Sequence, residues 1–370
     1  MLLALLTVVC AAAVAWANGA NDVSKGVATL VGSRLATYAQ ALRWGTLWTV
    51  AGAISALMLT TAMLKTFSTA LVAGSVVSSP AFPLAVAAGT FAWVAMASRT
   101  GLPVSTTHSL TSAIIGTAVA AGGIGGIHWS LAAKSIAIPL AFSPLASGLI
   151  AYGTHTVVNR RLTVASRYCV CARERPLVIP DSPVTGITAA RAVMLPVVIL
   201  DTEQACADGE TLERGVRLTD VVQWTTSAAL SFARGLNDTP KIVALAAAAA
   251  VSVGVAAPSL FAIVAIVMGA GSLLAGRRVT RTLAERVTDI DPLEGLAASG
   301  VAAALVLAAS VVALPVSTTH VASGAIVGAG LRSGSRGVHW RTVGNIVVAW
   351  LVTLPVSALA ASIVWMVIGS

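Results

Sequence analysis

The sequence is poor in charge. Only 10% of its 370 residues are charged, aromatic residues make up 5%, and the acidic residues number 14. A soluble domain carries about 25% charged residues, so a soluble globular protein is excluded. Segments of about 10 residues with alternating polarity are also lacking, which excludes a membrane β-barrel. The four cysteines, Cys10, Cys169, Cys171 and Cys206, form no disulfide framework. The C-x-C at Cys169 and Cys171 has no second ligand pair at zinc spacing. They are expected to be free thiols on a cytosolic face. The first apolar run, residues 2–17, has no basic stretch before it and leads straight into a repeated motif. It reads as a retained helix, not a signal peptide.

What is abundant is apolar sequence. Hydrophobic residues make up 57% of the chain and mean hydropathy is +0.89. Runs near the roughly 20 residues that span a bilayer recur throughout. The fold class is an all-α polytopic membrane protein. The net charge of +9 does not indicate a nucleic-acid partner. The basic residues sit in short loops between apolar runs, the pattern of cytoplasmic anchoring. The lipid bilayer is the partner this composition implies.

Two phrases occur twice. Pro103-Val104-Ser105-Thr106-Thr107-His108 returns unchanged as Pro315-Val316-Ser317-Thr318-Thr319-His320. Gly19-Ala20-Asn21-Asp22-Val23-Ser24-Lys25 is answered at nearly the same offset by Gly235-Leu236-Asn237-Asp238-Thr239-Pro240-Lys241. Ile114-Ile115-Gly116 matches Ile326-Val327-Gly328, His128-Trp129 matches His339-Trp340, and Pro144 matches Pro355. The chain therefore divides into a first membrane repeat (1–158), a cytoplasmic linker (159–218) and a second membrane repeat (219–370).

Within the repeats, both Asn-Asp phrases are expected to break a helix, after 2–17 and again after 221–233. The runs 109–121 and 321–331 are too short to cross, because about 13 residues make roughly 20 Å of helix against a core of roughly 30 Å. They read as re-entrant hairpins, buried in protein or lining a cavity. The segment 131–158 crosses with bends at Pro139 and Pro144, and 276–294 reads as a basic loop. In the linker, the apolar patch 192–200 reads as an interfacial helix.

Equivalent loops carry opposite charge bias. Loop 31–44 holds Arg34 and Arg43, whereas 247–259 has no basic residue. Loop 61–79 holds Lys65 alone, whereas 276–292 holds Arg277, Arg278, Arg281 and Arg286. Loop 122–130 has none, whereas 331–341 holds Arg332, Arg336 and Arg341. The positive-inside rule then places equivalent loops on opposite sides, so the repeats are inverted, with both termini outside and the linker inside.

Asp22 and Asp238 are the two acidic residues that interrupt apolar runs, and they are equivalent. An ionisable residue there marks function by default. A carboxylate beside freed carbonyls suits a hard cation, which makes Asn21, Asp22, Asn237 and Asp238 the cation-binding or coupling candidates. If the cation is sodium, Asp22 and Asp238 are its metal ligands. The bland alternative is a pair of internal salt bridges to Lys25 and Lys241. Ser105, Thr106, Thr107, Ser317, Thr318 and Thr319 directly precede short helices. Hydroxyls and free N–H groups at a helix N-terminus suit a tetrahedral oxyanion; ordinary capping is the alternative. His108, His320, Lys25 and Lys241 are accessory candidates, the histidines either by packing or by proton coupling. Arg99 and Arg234 either attract the anion or pair with lipid headgroups. Trp129 and Trp340 read as interfacial anchors, and Gly52, Gly116 and Gly328 as close-packing positions.

On these motifs the chain resembles the inorganic phosphate transporter (PiT) family, over both halves and not the linker. The resemblance implies phosphate uptake coupled to Na⁺ or H⁺, no further cofactor, inverted repeats with re-entrant hairpins, and a homodimer. It carries cation and phosphate positions onto Asn21, Asp22, Asn237, Asp238 and the two Ser-Thr-Thr triplets. Arg234 departs from the pattern, standing where the first half has Asn18. Some members carry a Glu in the second span; here 41–64 has no acidic residue. A sulfate permease of the same fold is the alternative within transport. An intramembrane Ser-His-Asp hydrolase is disfavoured, because two matching residue sets do not make one asymmetric active site. A passive channel is disfavoured by inverted repeats around a closed polar centre.

Overall fold

A computed structural model describes the chain except residues 60–63, 65–66, 68–70, 73–77, 166, 181–189, 203–215 and 370. The first half comprises α1 (Leu2–Gly32), α2 (Tyr38–Leu59), α3 (Ala81–Thr100), α4 (Thr106–Gly122) and α5 (Ile138–Ala165). The second comprises α6 (Leu218–Ser252), α7 (Ala257–Ala275), α8 (Arg277–Glu285), α9 (Pro292–Val311), α10 (Thr318–Gly330) and α11 (Trp340–Ile368). Six of these, α1, α2, α3, α7, α9 and α11, are long and apolar enough to cross a membrane. The expected helical membrane architecture is present.

The Asn-Asp phrases do not break their helices. Helix α1 runs through Asn18–Asp22 without interruption, and α6 runs through Asn237, Asp238 and Pro240. Gly19 and Gly235 serve packing instead. A Cβ at Gly19 would lie 2.0 Å from the Met268 carbonyl of α7, and one at Gly235 would lie 2.1 Å from the Thr49 carbonyl of α2. The polar side chains find partners on neighbouring helices, so the backbone ladder has no need to open. The Thr239 hydroxyl back-bonds to the Gly235 carbonyl at 2.7 Å, beside the proline.

The halves interlock through matched contacts. Helix α1 packs on α7 and α6 on α2. Helix α4 packs on α11, with Gly116 against Ala358, and α10 packs on α5, with Gly328 against Gly148. Gly52 likewise lies against Phe232, so all three glycines expected at close contacts are found there. Helix α4 has 17 residues and α10 has 13, roughly 25 and 20 Å, so both stay short of a membrane crossing. A π-helical turn at Ala133–Ala137 precedes Pro139, and Pro144 and Pro355 lie inside α5 and α11. The basic segment after Gly276 is not a plain loop, since it holds α8. Trp129 and Trp340 are 51% and 52% exposed, at the starts of equivalent segments, as anchors require.

The linker contains a sheet. Strand β1 (Tyr168–Pro180) pairs antiparallel with β2 (Ala190–Thr202) and with β3 (Val216–Arg217), in the order β2-β1-β3. The interfacial helix expected over 192–200 is therefore a strand. Val193, Val197, Val198 and Ile199 are β-branched and favour a pleated surface. Pro196 would interrupt a helix but is tolerated on an edge strand. The thiols need one correction as well. Cys10 is free, but Cys171 is disulfide-bonded. Strand alternation puts Cys169 and Cys171 on one buried face against Ile199. Cys206 lies outside the described residues.

Candidate functional site: a buried ion cluster at two helix N-termini

The N-termini of α4 and α10 face each other. Thr107 donates from Oγ1 to the Val316 carbonyl at 3.4 Å, and Thr319 donates to the Val104 carbonyl at 2.8 Å. Ser105 and Ser317 are the N-caps, accepting from the backbone N–H of His108 at 3.1 Å and of His320 at 3.2 Å. The extended residues before each helix place the motifs here, and the middles of α1 and α6 run alongside. The first turns of two helices thus present positive dipole ends to one region.

Two carboxylates occupy that region. Asp22 and Asp238 are 1% and 2% exposed. The Asn18 side-chain amide reaches both, 3.2 Å from Asp22 Oδ2 and 3.3 Å from Asp238 Oδ2, and lies 3.1 Å from Thr106 Oγ1. Thr318 Oγ1 sits 3.5 Å from Asp22 Oδ2. The two carboxylates, one from each half, therefore bracket a single amide.

Each carboxylate also has an ammonium partner. Lys25 Nζ donates to Asp22 Oδ1, to Asn21 Oδ1 at 2.8 Å and to the Asn21 carbonyl at 3.1 Å. Lys241 Nζ donates to Asp238 Oδ1 at 3.1 Å, to Asn237 Oδ1, to Thr107 Oγ1 at 2.8 Å and to the Val316 carbonyl at 3.2 Å. The internal salt bridges weighed from the sequence are both formed. A third cation, Arg234, is 0% exposed. Among the described residues its guanidinium makes long contacts, Nη1 to the Asn18 carbonyl at 3.5 Å and Nη2 to Ser272 Oγ at 3.4 Å. Among the described residues nothing accepts from Arg234 Nε, and nothing donates to Asn18 Oδ1. Three cations against two carboxylates leave a buried excess of positive charge when all are ionised.

The sequence candidates divide cleanly. Asn21, Asp22, Asn237, Asp238, Lys25, Lys241, Thr106, Thr107 and Thr318 converge on this cluster. Thr319 lies at its edge. The Ser105 and Ser317 hydroxyls are engaged in capping, the alternative role considered for them. His108 and His320 meet each other with ring centroids 4.5 Å apart, edge to face. His320 also bonds Ser317 Oγ through Nδ1 at 2.6 Å and lies 3.8 Å from the Trp350 ring. Arg234 belongs to the cluster; Arg99 is exposed and accepts from Arg278 through its carbonyl at 2.8 Å. Three residues went unnoticed as site members. Asn18 bridges the carboxylates. Ser98 and Ser310 accept from the side-chain amides of Asn21 and Asn237, at 3.2 and 3.0 Å. Both serines stand at the same spacing before a PVSTTH, a repeat signal that would have revealed them. Among the described residues no three His, Cys, Asp or Glu side chains group as a metal site.

The fold and this enclosed ionic centre define a multi-pass membrane protein of the transporter class. A family model described as the phosphate transporter family matches residues 18–361. The chain is 28% identical over 370 residues to a probable low-affinity inorganic phosphate transporter of Mycobacterium bovis, covering 98% of this chain and 76% of that one. It is 26% identical over 382 residues to a probable low-affinity inorganic phosphate transporter of Bacillus subtilis, covering 100% and 98%. A solved structure described as the sodium-dependent phosphate transporter superposes with a TM-score of 0.78 at 22% identity, over 100% of this chain and 99% of that chain. The chain belongs to the phosphate transporter family. It is a transporter and not an enzyme, which removes the hydrolase reading.

Proposed function

We propose that this chain imports inorganic phosphate together with a cation, Na⁺ or H⁺, by alternating access. The observation that carries the proposal is the buried cluster itself. Arg234, Lys25 and Lys241 meet Asp22, Asp238 and two helix N-termini, and among the described residues the Arg234 Nε has no acceptor. A buried donor without a partner costs free energy unless a ligand satisfies it. An oxyanion between Thr106, Thr318 and Arg234 does so, and it balances the excess positive charge. Ser105, Thr107, Ser317 and Thr319 shape that site from the two helix starts. Asn21, Asp22, Asn237 and Asp238 form the coupling set.

The architecture fits alternating access between inverted repeats, 1–158 and 219–370. The matched contacts between halves support a twofold relation, and the opposite loop charges support the inversion. In this reading the termini lie outside, residues 159–218 form the cytoplasmic linker, and the protein works as a homodimer in the bilayer. The superposed structure is described as sodium-dependent, and H⁺ is the alternative driving ion for this chain.

Asp22→Asn and Asp238→Asn test the proposal. Each is expected to abolish coupled phosphate uptake in proteoliposomes while the protein still elutes as a single species in detergent. Unchanged uptake in either variant removes that residue from the mechanism.

A further inference from the structure

The ammonium groups of Lys25 and Lys241 are coordinated as free cations would be. An ammonium has three donors and no acceptor. Lys25 Nζ is surrounded by Asn21 O, Asn21 Oδ1 and Asp22 Oδ1, which uses all three. Lys241 Nζ is surrounded by four oxygens, Asn237 Oδ1, Asp238 Oδ1, Thr107 Oγ1 and Val316 O. Both sets combine a carboxylate with carbonyl-type oxygens, the donor chemistry of a hard cation. Both lysines are buried, at 0% and 2% exposure. The second cage is assembled across the halves, because Thr107 comes from the first and the other ligands from the second.

We infer that Lys25 and Lys241 are tethered cations that occupy the two oxygen cages at Asp22 and Asp238, so that phosphate transport by this chain needs no Na⁺ at either cage. This deepens the phosphate reading and rests on it. The carboxylate charge is already compensated by groups that cannot leave. A mobile Na⁺ would have to displace an ammonium held by three or four oxygens into an interior with few alternatives for it. Lys25 and Lys241 are therefore specificity-determining residues: their presence, and not the fold, decides which cation the carrier requires.

The test uses the full chain, purified and reconstituted. Labelled phosphate uptake is measured in Na⁺ and in choline at matched pH and ionic strength, for the wild type, Lys25→Ala and Lys241→Ala. The wild type is expected to transport equally in both salts. Each variant should lose roughly tenfold in choline, as expected when a charge-assisted contact is deleted, and recover in part with saturable Na⁺. A second readout does not depend on phosphate. The melting temperature in detergent should be insensitive to Na⁺ in the wild type and rise with Na⁺ in the variants, because a cation that binds only the folded state stabilises it. Wild-type uptake that requires Na⁺, or a saturable Na⁺ shift of the wild-type melting temperature, overturns the inference. So do folded variants whose melting temperature ignores Na⁺. Absence of phosphate uptake by the wild type in both salts overturns the phosphate reading instead, and the melting series still decides the occupancy of the cages.

Discussion

Arg234 reaches back to its own counterpart: its Nη1 lies 3.5 Å from the carbonyl oxygen of Asn18, the residue at the equivalent position of the first repeat. The cluster is thus asymmetric at this pair of positions, and the asymmetry adds a buried positive charge. Arg234→Asn makes these two positions alike and removes that charge. The KM for phosphate should rise roughly tenfold, the effect of losing one charge-assisted hydrogen bond of about 1.5 kcal/mol. Arg234→Lys keeps the charge without the forked donors and should fall between the two. Uptake kinetics in proteoliposomes read both. An unchanged KM in Arg234→Asn would place the anion elsewhere.

Gly19 lets α1 approach α7 where a Cβ would stand 2.0 Å from the Met268 carbonyl. Gly19→Ala should lower the melting temperature in detergent, since overpacking costs about 1–3 kcal/mol. Helix propensity alone predicts the reverse, a gain of roughly 1 kcal/mol, so the sign separates close packing from a flexible hinge. Gly125→Ala, where a Cβ meets no atom within 4 Å, should leave the melting temperature unchanged.

The segments around 287 and 338 lie together, because His339 N donates to the Val287 carbonyl at 2.9 Å and Thr288 bridges Val338. Loops 276–292 and 331–341 should therefore both face the cytoplasm, and 61–79 and 122–130 the outside. Impermeant maleimide applied to intact cells should label Gly125→Cys and spare Ser335→Cys. Both positions are exposed. Labelling of both from the same side would refute the inverted arrangement.

Selectivity follows from the carboxylates. Near neutral pH phosphate keeps at least one proton and sulfate keeps none. Asp22 Oδ2 and Asp238 Oδ2 both turn toward the Asn18 amide, which also reaches Thr106 Oγ1, and Asp22 Oδ2 faces Thr318 Oγ1. A carboxylate there accepts a hydrogen bond from phosphate and only repels sulfate, a large penalty in a buried site. Unlabelled sulfate should compete poorly with labelled phosphate uptake. Half-inhibition at equal concentrations would mean that the carboxylates do not read the anion, and would favour the sulfate permease.

The sequence by itself determined the membrane class, the duplication and nearly all of the ionic cluster. Apolar run length is set by bilayer thickness, and two copies of PVSTTH and of Asn-Asp are visible without coordinates. Asp22 and Asp238 stood out because no other acidic residue interrupts an apolar run. Tertiary structure decided what those residues do with one another. Whether α1 bends at Asn18–Asp22 depends on whether partners on other segments satisfy the polar side chains, and Ser98, Leu102 and Thr106 supply them. Whether Gly19 and Gly235 act as hinges or contacts depends on Met268 and Thr49, far away in sequence. The Lys241 cage draws Thr107 from the other half, a pairing that no local pattern encodes. The apolar patch at 192–200 reads as an interfacial helix from its composition alone; its strand character depends on pairing with β1, which no local pattern encodes. Local spacing reports which residues are unusual; only the packing of the two repeats against each other decides which of them share a site.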